Sequence, residues 1–518
     1  MKMKYFNPII IFTLFVGASI FVSCNKDFDE INENPNEPTE VSPDVLLASA
    51  IKQSVNTSTN ESFLLGNNAA QLTAKTLRTE VDDYNWNAFP TVWSGFYTSL
   101  TDVESMIDIT YDLETSTTKY DRMRGVGLVL RSWIYYNITN AYGDVPYFNA
   151  IEGDNGNFTP GYDSQSEIYA DLIEKLDQAD SLLQTNYNND DVEVEPITGD
   201  LIYNNDADKW VKFANSLQLR ILMHAGSRIN NGPQKFADIF NNRAIISSND
   251  DNATLDYLGG FPNQFPTFPL KTGDFDAVAL SQNAYSTLSN YGDPRLMRFA
   301  RPSNGNYDAS GVTSFSGAVN GRNNASCSKA GSRLGAIYYN YPDQKTASSL
   351  GLEAANGLLM TYAEVQFILA EARAKGWINT GTVEGYYKEG ILASMEQYQV
   401  DVTTAGSYSD FGYSDFDDFY NNSGVAYNTV TDIWEQKWLS LFFTGLEPYF
   451  EVRRWYVESN KDWNNIPFLS APCDNVNGDV LPMRFLYPGE EQSLNSANYN
   501  NALPPGGDDI NNPMWVVE

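Results

Sequence analysis

One histidine, His224, two cysteines beyond the first thirty residues, Cys327 and Cys473, and 66 Asp plus Glu are the side chains from which this chain could assemble a reactive site. A Ser-His-Asp or Cys-His constellation would have to use His224, and no G-x-S-x-G elbow accompanies it. His224 shares a helical face with Leu217 and Ile221, the setting of a packed or surface-edge imidazole and not of a catalytic base. Two thiols without C-x-x-C spacing and one histidine do not make an ordinary zinc site, so no metal is expected. The thiols are able to pair in an oxidising compartment or to stay free. Neither a phosphate-binding G-x-x-x-x-G-K-[ST] loop nor a dinucleotide fingerprint is present, and no cofactor is expected. Paired carboxylates stay open as a catalytic option, because a glycosidase needs only two acids at a suitable separation.

Binding chemistry needs other residues. Sugar rings present apolar C–H faces that stack on indole and phenol rings, while Asn, Asp, Gln and Arg meet their hydroxyls. The feature to seek is an aromatic among short polar residues in a loop. Segment 78–89, RTEVDDYNWNAF, has it, with Asp83, Tyr84, Asn85 and Trp86 as candidates and Tyr84 with Trp86 as a stacking platform. Segment 257–275 is the second, through Asn263, Gln264, Phe265, Phe268 and Lys271, and the polar loop ending at 333–339 is the third. Packing under a loop is the alternative for each of these aromatics.

Composition narrows the partners. With 66 acidic against 33 basic side chains and a net charge of −33, the surface repels phosphate backbones, and no nucleic acid partner is expected. Aromatic content is 14%, enough to fill a core and leave rings for a binding face. Lys2 and Lys4 precede an uncharged, mostly apolar run from Ile9 to Val22 that ends at Ser23-Cys24, which reads as a secretory signal peptide, too short to span a membrane. The junction resembles the bacterial lipoprotein cleavage site, although Phe21 stands where leucine is usual. It implies that residues 1–23 are removed and Cys24 is lipidated; an ordinary signal peptide with a cysteine beside it is the alternative. The acidic stretch after it resembles the tag that sends lipoproteins of the Bacteroidetes to the outside of the outer membrane.

The elements that must position these residues are helical. Apolar spacing predicts helices over 44–55, 92–109, 121–140, 164–183, 206–228, 361–375, 383–397 and 430–443, with Asp163 or Ser164 capping the fourth. The pair within 361–397 forms an antiparallel hairpin close in length to a tetratricopeptide unit. Segment 247–345 is rich in Asn, Gly, Ser and aromatics and reads as loops with one helix near 274–289, and the stretch from 467 onward is irregular. Residues 24–518 are expected to be one domain, mostly α: a scaffold of stacked helical hairpins over 43–246 and 361–456, a loop-rich ligand-binding part over about 247–345, and an irregular part over 457–518.

Several segments together resemble the SusD/RagB family of nutrient-binding outer-membrane lipoproteins: the stretch DFDEINENPNEPTEVSPDVLL after Cys24, NAYGDVPYFNA, IYADLIEKLDQAD, GDLIYNNDADKWVKFANSLQLRI, TYAEVQFILAEARAKGW, WEQKWLSLFFTGLEPYFEVRR and LPMRFLYPGEEQSLN. The resemblance implies a tetratricopeptide-like stack, no catalysis, and a lipid-anchored lid on a SusC-like TonB-dependent outer-membrane transporter. It implies capture of oligosaccharides or, in some branches, peptides. An exported glycoside hydrolase and a ligand-free structural partner of the transporter are the competing classes. Within the motifs, GDVPY is helix-stop and turn chemistry. Trp434, Trp438, Leu441 and Phe442 share one face and belong to the core, and Arg453 and Arg454 suit buried acids or carbonyls better than substrate.

Overall fold

The computed structural model describes residues 41–518 apart from 113–118, 185–193, 303–313, 343 and 401–405. Cys24 and the signal segment lie outside the described residues.

Helices α1 (Pro43–Glu61), α2 (Pro90–Asp112), α3 (Asp121–Tyr142), α4 (Gln165–Leu183), α5 (Ala207–Ala225) and α6 (Gly232–Asn242) follow one another, each packed on the next. This is the stack of helical hairpins that periodicity predicts. Local chemistry sets the starts: Ser164 caps α4 by accepting from the Glu167 N–H while Glu167 reaches back, and Asp206 caps α5 through the Lys209 N–H. The stripe Ile168, Leu172, Leu176, Ala179 and Leu183 is buried as its spacing requires.

Within the loop-rich part lies α7 (Gln282–Tyr291), and after it come the hairpin α8 (Tyr362–Ala374) and α9 (Val383–Gln397), then α10 (Val430–Ser440) and α11 (Glu447–Glu458). The segment expected as one helix over 274–289 is instead a single turn (Thr272–Phe275), strand β3 (Val278–Leu280) and α7. Its Val-Ala-Leu pairs antiparallel with β1 (Thr73–Lys75), a partner about two hundred residues away in sequence. A second two-stranded ribbon joins β2 (Ala253–Leu255) to β4 (Gly357–Met360).

The face of Trp434, Trp438, Leu441 and Phe442 is core, and the Trp438 indole N–H donates to the Ala70 carbonyl at 2.7 Å. A close backbone approach fixes α11 against the end of α1: a Cβ on Gly66 would fall on the Gly445 carbonyl, and the Gly445 N–H donates to Ser62 Oγ at 2.6 Å.

An ionic network is buried where α3, α5, α8, α10 and α11 meet. Arg220 of α5 forms a fork on Glu364 of α8 (2.5 and 2.7 Å), and Arg454 of α11 forms another on Glu371 of α8 (2.6 and 2.7 Å) while reaching Glu451 at 2.6 Å. Lys437 of α10 donates to Glu451 at 2.7 Å and the Tyr136 hydroxyl of α3 to Glu447 at 3.0 Å. Arg453 donates to the carbonyls of Asn140 and Met483. Both arginines are therefore structural, as their sequence context suggests.

Candidate functional site

The candidate segments gather around β1 and β3: Asp82 of the first accepts from the Lys75 N–H of β1 at 2.8 Å and lies 3.5 Å from Lys329 of the polar loop. Thr76, just after β1, donates its N–H to Ala277 (2.8 Å), and the 318–334 strip is laced to β3 through Ala318 to Leu280 (2.8 Å) and Leu280 to Ser332 (2.9 Å). Asp276 is the junction: it accepts from the Tyr341 hydroxyl at 2.5 Å and pairs with Arg333 at 2.8 Å. Tyr339 stacks on Phe275 at 4.3 Å and donates to the Leu270 carbonyl at 2.8 Å, which joins the second and third segments.

A disulfide between Cys327 and Cys473, Cα atoms 5.8 Å apart, ties the 318–334 strip to the 470–480 stretch. Around it the Arg322 N–H donates to the Cys473 carbonyl (3.0 Å) and the Val476 N–H to the Asp83 carbonyl (2.9 Å). Of the two states open to these thiols, the structure shows the paired one.

The residues of the first segment divide. Tyr84 and Trp86 are not on a loop face. Trp86 is 6% exposed, packs edge-on against Tyr449 and Phe485 at 5.3 and 5.4 Å, and donates its indole N–H to the Val81 carbonyl at 3.0 Å. Tyr84 is buried beside it. The expected stacking platform is therefore corrected to core, because an interior carbonyl satisfies the indole and four rings cover its faces. Asp83 is mostly covered, accepts from the Asn85 N–H at 3.2 Å, and lies 3.9 Å from Arg322; burial raises its pKa against the pull of that N–H and of Arg322. Asn85 is exposed.

In the second segment Phe265 is also core, fully buried against Tyr257, Tyr338 and Phe443, and Phe268 is half-buried beside it. Asn263 is exposed and accepts from Lys52 at 2.8 Å, and Lys271 is exposed at the start of the Thr272–Phe275 turn. The aromatic this segment gives to solvent is one that residue-type reasoning passed over, Phe261, 87% exposed with Leu258 at 61%. The signal was Gly259-Gly260 directly before Phe261-Pro262, a turn that lifts the ring away from the body. Arg333 and Arg322 are the half-exposed cations of this face.

Among the described residues one group has the geometry to hold a metal ion, His224 with Glu447 and Glu451. Its lone pairs already serve Arg220, Lys437, Arg454 and Tyr136, so it reads as part of the buried ion-pair network. No described helix is long and apolar enough to cross a membrane.

Residues 35–488 match a SusD-like family described as starch-binding and associating with the outer membrane, and the chain belongs to that family. Its fold is that of solved relatives: a SusD homolog of Bacteroides fragilis (24% identity, TM-score 0.73, 92% of this chain and 100% of that one) and an outer-membrane protein of Bacteroides vulgatus described as involved in nutrient binding (25%, TM-score 0.74, 92% and 100%). A third, described as a chitin-binding protein, is similar at 24% identity and TM-score 0.70 over 92% of this chain and 99% of its own. No curated protein is similar enough to count as a match.

Proposed function

We propose that the chain is a non-catalytic lipoprotein, anchored through Cys24 on the outside of the outer membrane, that captures oligosaccharide and hands it to a TonB-dependent transporter. The family match over 35–488 carries this reading, and the relative described as chitin-binding supports a glycan cargo. The loop face has the required chemistry in Phe261 for stacking and in Asn85, Asn263, Lys271 and Arg333 for hydroxyls. A lipid-tethered binder with no spanning helix among its described residues needs a barrel to move its cargo, and tethering both on one membrane raises their effective concentration.

Calorimetric titration of the mature chain with soluble starch and chitin oligosaccharides, beside a peptide panel, tests the cargo. Heat with a glycan is expected; heat only with peptides would replace the cargo, and release of reducing ends would make the chain a hydrolase. Cys24→Ser should abolish membrane fractionation, and gentle detergent extraction of the native protein should recover a barrel with it.

A further inference from the structure

A cleft of about 570 Å³ opens where β2, β4, the 351–356 turn and the end of α9 meet. None of its lining residues belongs to the 78–89 or 257–275 segments. Its floor is aromatic: Tyr338 stacks on Phe443 at 4.2 Å and meets Phe442 edge-on at 5.5 Å, and Phe442 is backed by Phe299 at 4.1 Å. Its walls are amides. Gln399 clamps the turn by accepting from the Glu353 N–H at 2.9 Å, and Asn249 is held to α9 by donating to Glu396 (2.9 Å) and Ala393 (3.1 Å). These bonds make the cleft a built feature and not a gap between loops.

Two polar groups in it have no use within the fold. The Tyr338 hydroxyl is buried without a hydrogen-bond partner, on a residue 1% exposed. The Gln397 side-chain amide is shielded at both ends beside the Tyr398 hydroxyl without the geometry of a hydrogen bond, while Tyr398 itself donates to the Ser440 and Phe442 carbonyls. Buried donors and acceptors are rarely left unpaired in a native protein, and each one costs stability unless something occupies the site. The only formally charged lining residue is Glu353, which is exposed, so nothing recommends an anion. The volume lies in the range of small-ligand sites, and neutral amides over an aromatic floor suit a neutral, hydroxyl-rich ring.

We propose that this cleft is a second binding site, for a neutral sugar of one or two rings, seated between the 351–356 turn and the aromatic floor with its hydroxyls on the Tyr338 hydroxyl and the Gln397 amide. The site shares Ile337 and Tyr338 with the 333–339 segment and takes no lining residue from the 78–89 or 257–275 segments.

The probes are maltose and N,N′-diacetylchitobiose, titrated into the full mature chain by calorimetry and by saturation-transfer NMR. Tyr338→Phe removes the unpaired hydroxyl at constant shape and should leave the melting temperature unchanged or slightly higher while weakening binding about two- to tenfold. Asn356→Trp, on a half-exposed turn position that lines the cleft, should fill it and abolish this binding in a folded protein. Phe261→Ala should leave it untouched, which separates this site from the loop face. Neither probe binding, binding that survives Asn356→Trp, or a strong loss of stability in Tyr338→Phe would each overturn the proposal, the last because the hydroxyl would then have a partner in the fold.

Discussion

The imidazole of His224 lies 3.0 Å from a carboxylate oxygen of Glu451, and a carboxylate oxygen of Glu447 stands at the same distance from the same ring nitrogen. Burial alone would lower the pKa of this histidine, but Glu451 and Glu447 outweigh it and hold the pKa above its ordinary value of 6.5. A folded pKa above the unfolded one means that the native state binds the extra proton. The contribution is complete below pH 6.5 and is lost as pH rises through the folded value. The temperature of thermal unfolding should therefore fall as pH rises above 6.5, and His224→Gln should flatten that slope. His224→Ala, which leaves two buried carboxylates short of a cation, should cost about 3 to 5 kcal/mol near pH 6. A slope unchanged by His224→Gln would assign it to other groups.

One such group is Glu435 of α10, which accepts from the Tyr291 hydroxyl at 2.7 Å. Burial pushes its pKa up to about 7 against the opposing pull of Tyr291. The unfolded carboxyl ionises near 4.5, so the native state holds the proton over pH 4.5 to 7 and stability falls across that window, by about 3 kcal/mol at most. Glu435→Gln should gain stability relative to the parent at pH 8 and show little difference at pH 4. An equal effect at both values would place the carboxyl in an ordinary solvated setting.

The Cys327–Cys473 bond closes a sequence separation of 146 residues and joins two loops of the candidate face. Chain entropy puts its contribution at about 5 kcal/mol as an upper figure. The Cys327→Ser/Cys473→Ser pair should shift the urea midpoint of unfolding down accordingly, with a slope m that shows whether the unfolded state has expanded. A loss below about 1 kcal/mol would mean that the backbone bonds around Gly321 and Cys473 hold the loops by themselves.

Helix α4 was legible in the sequence, whereas α6 and α11 were not. The stripe from Ile168 to Leu183 has polar residues opposite it and a Ser164/Glu167 capping box, so both its period and its start could be read. Helix α11, EPYFEVRRWYVE, is buried from Glu447 through Tyr456, and its charged residues Glu447, Glu451, Arg453 and Arg454 face partners inside the protein. It has no polar face to reveal a period, and the spacing pattern stopped at 443 instead. β3 was read as helix because its partner β1 is remote in sequence. At the candidate site, residue type pointed to segments that the fold brings close together, but exposure depends on whether an interior group satisfies the side chain. The Val81 carbonyl does this for Trp86, and nothing does it for Phe261.

That contrast between Trp86 and Phe261 is open to a direct test on two single variants. Trp86→Ala removes a ring held by four aromatic neighbours and a buried hydrogen bond, and should cost about 3 to 5 kcal/mol of folding stability. Phe261→Ala removes a ring that is 87% exposed and should move stability by less than about 0.5 kcal/mol. If the ring stacks on cargo at the loop face, the same Phe261 change should weaken binding of longer glycans by about 1 to 3 kcal/mol, or roughly five- to a hundredfold. Thermal unfolding and calorimetric titration of both proteins separate the roles. A stable Trp86→Ala protein that has lost glycan binding would return the platform to the 78–89 segment, and a Phe261→Ala protein with full affinity would remove Phe261 from the site.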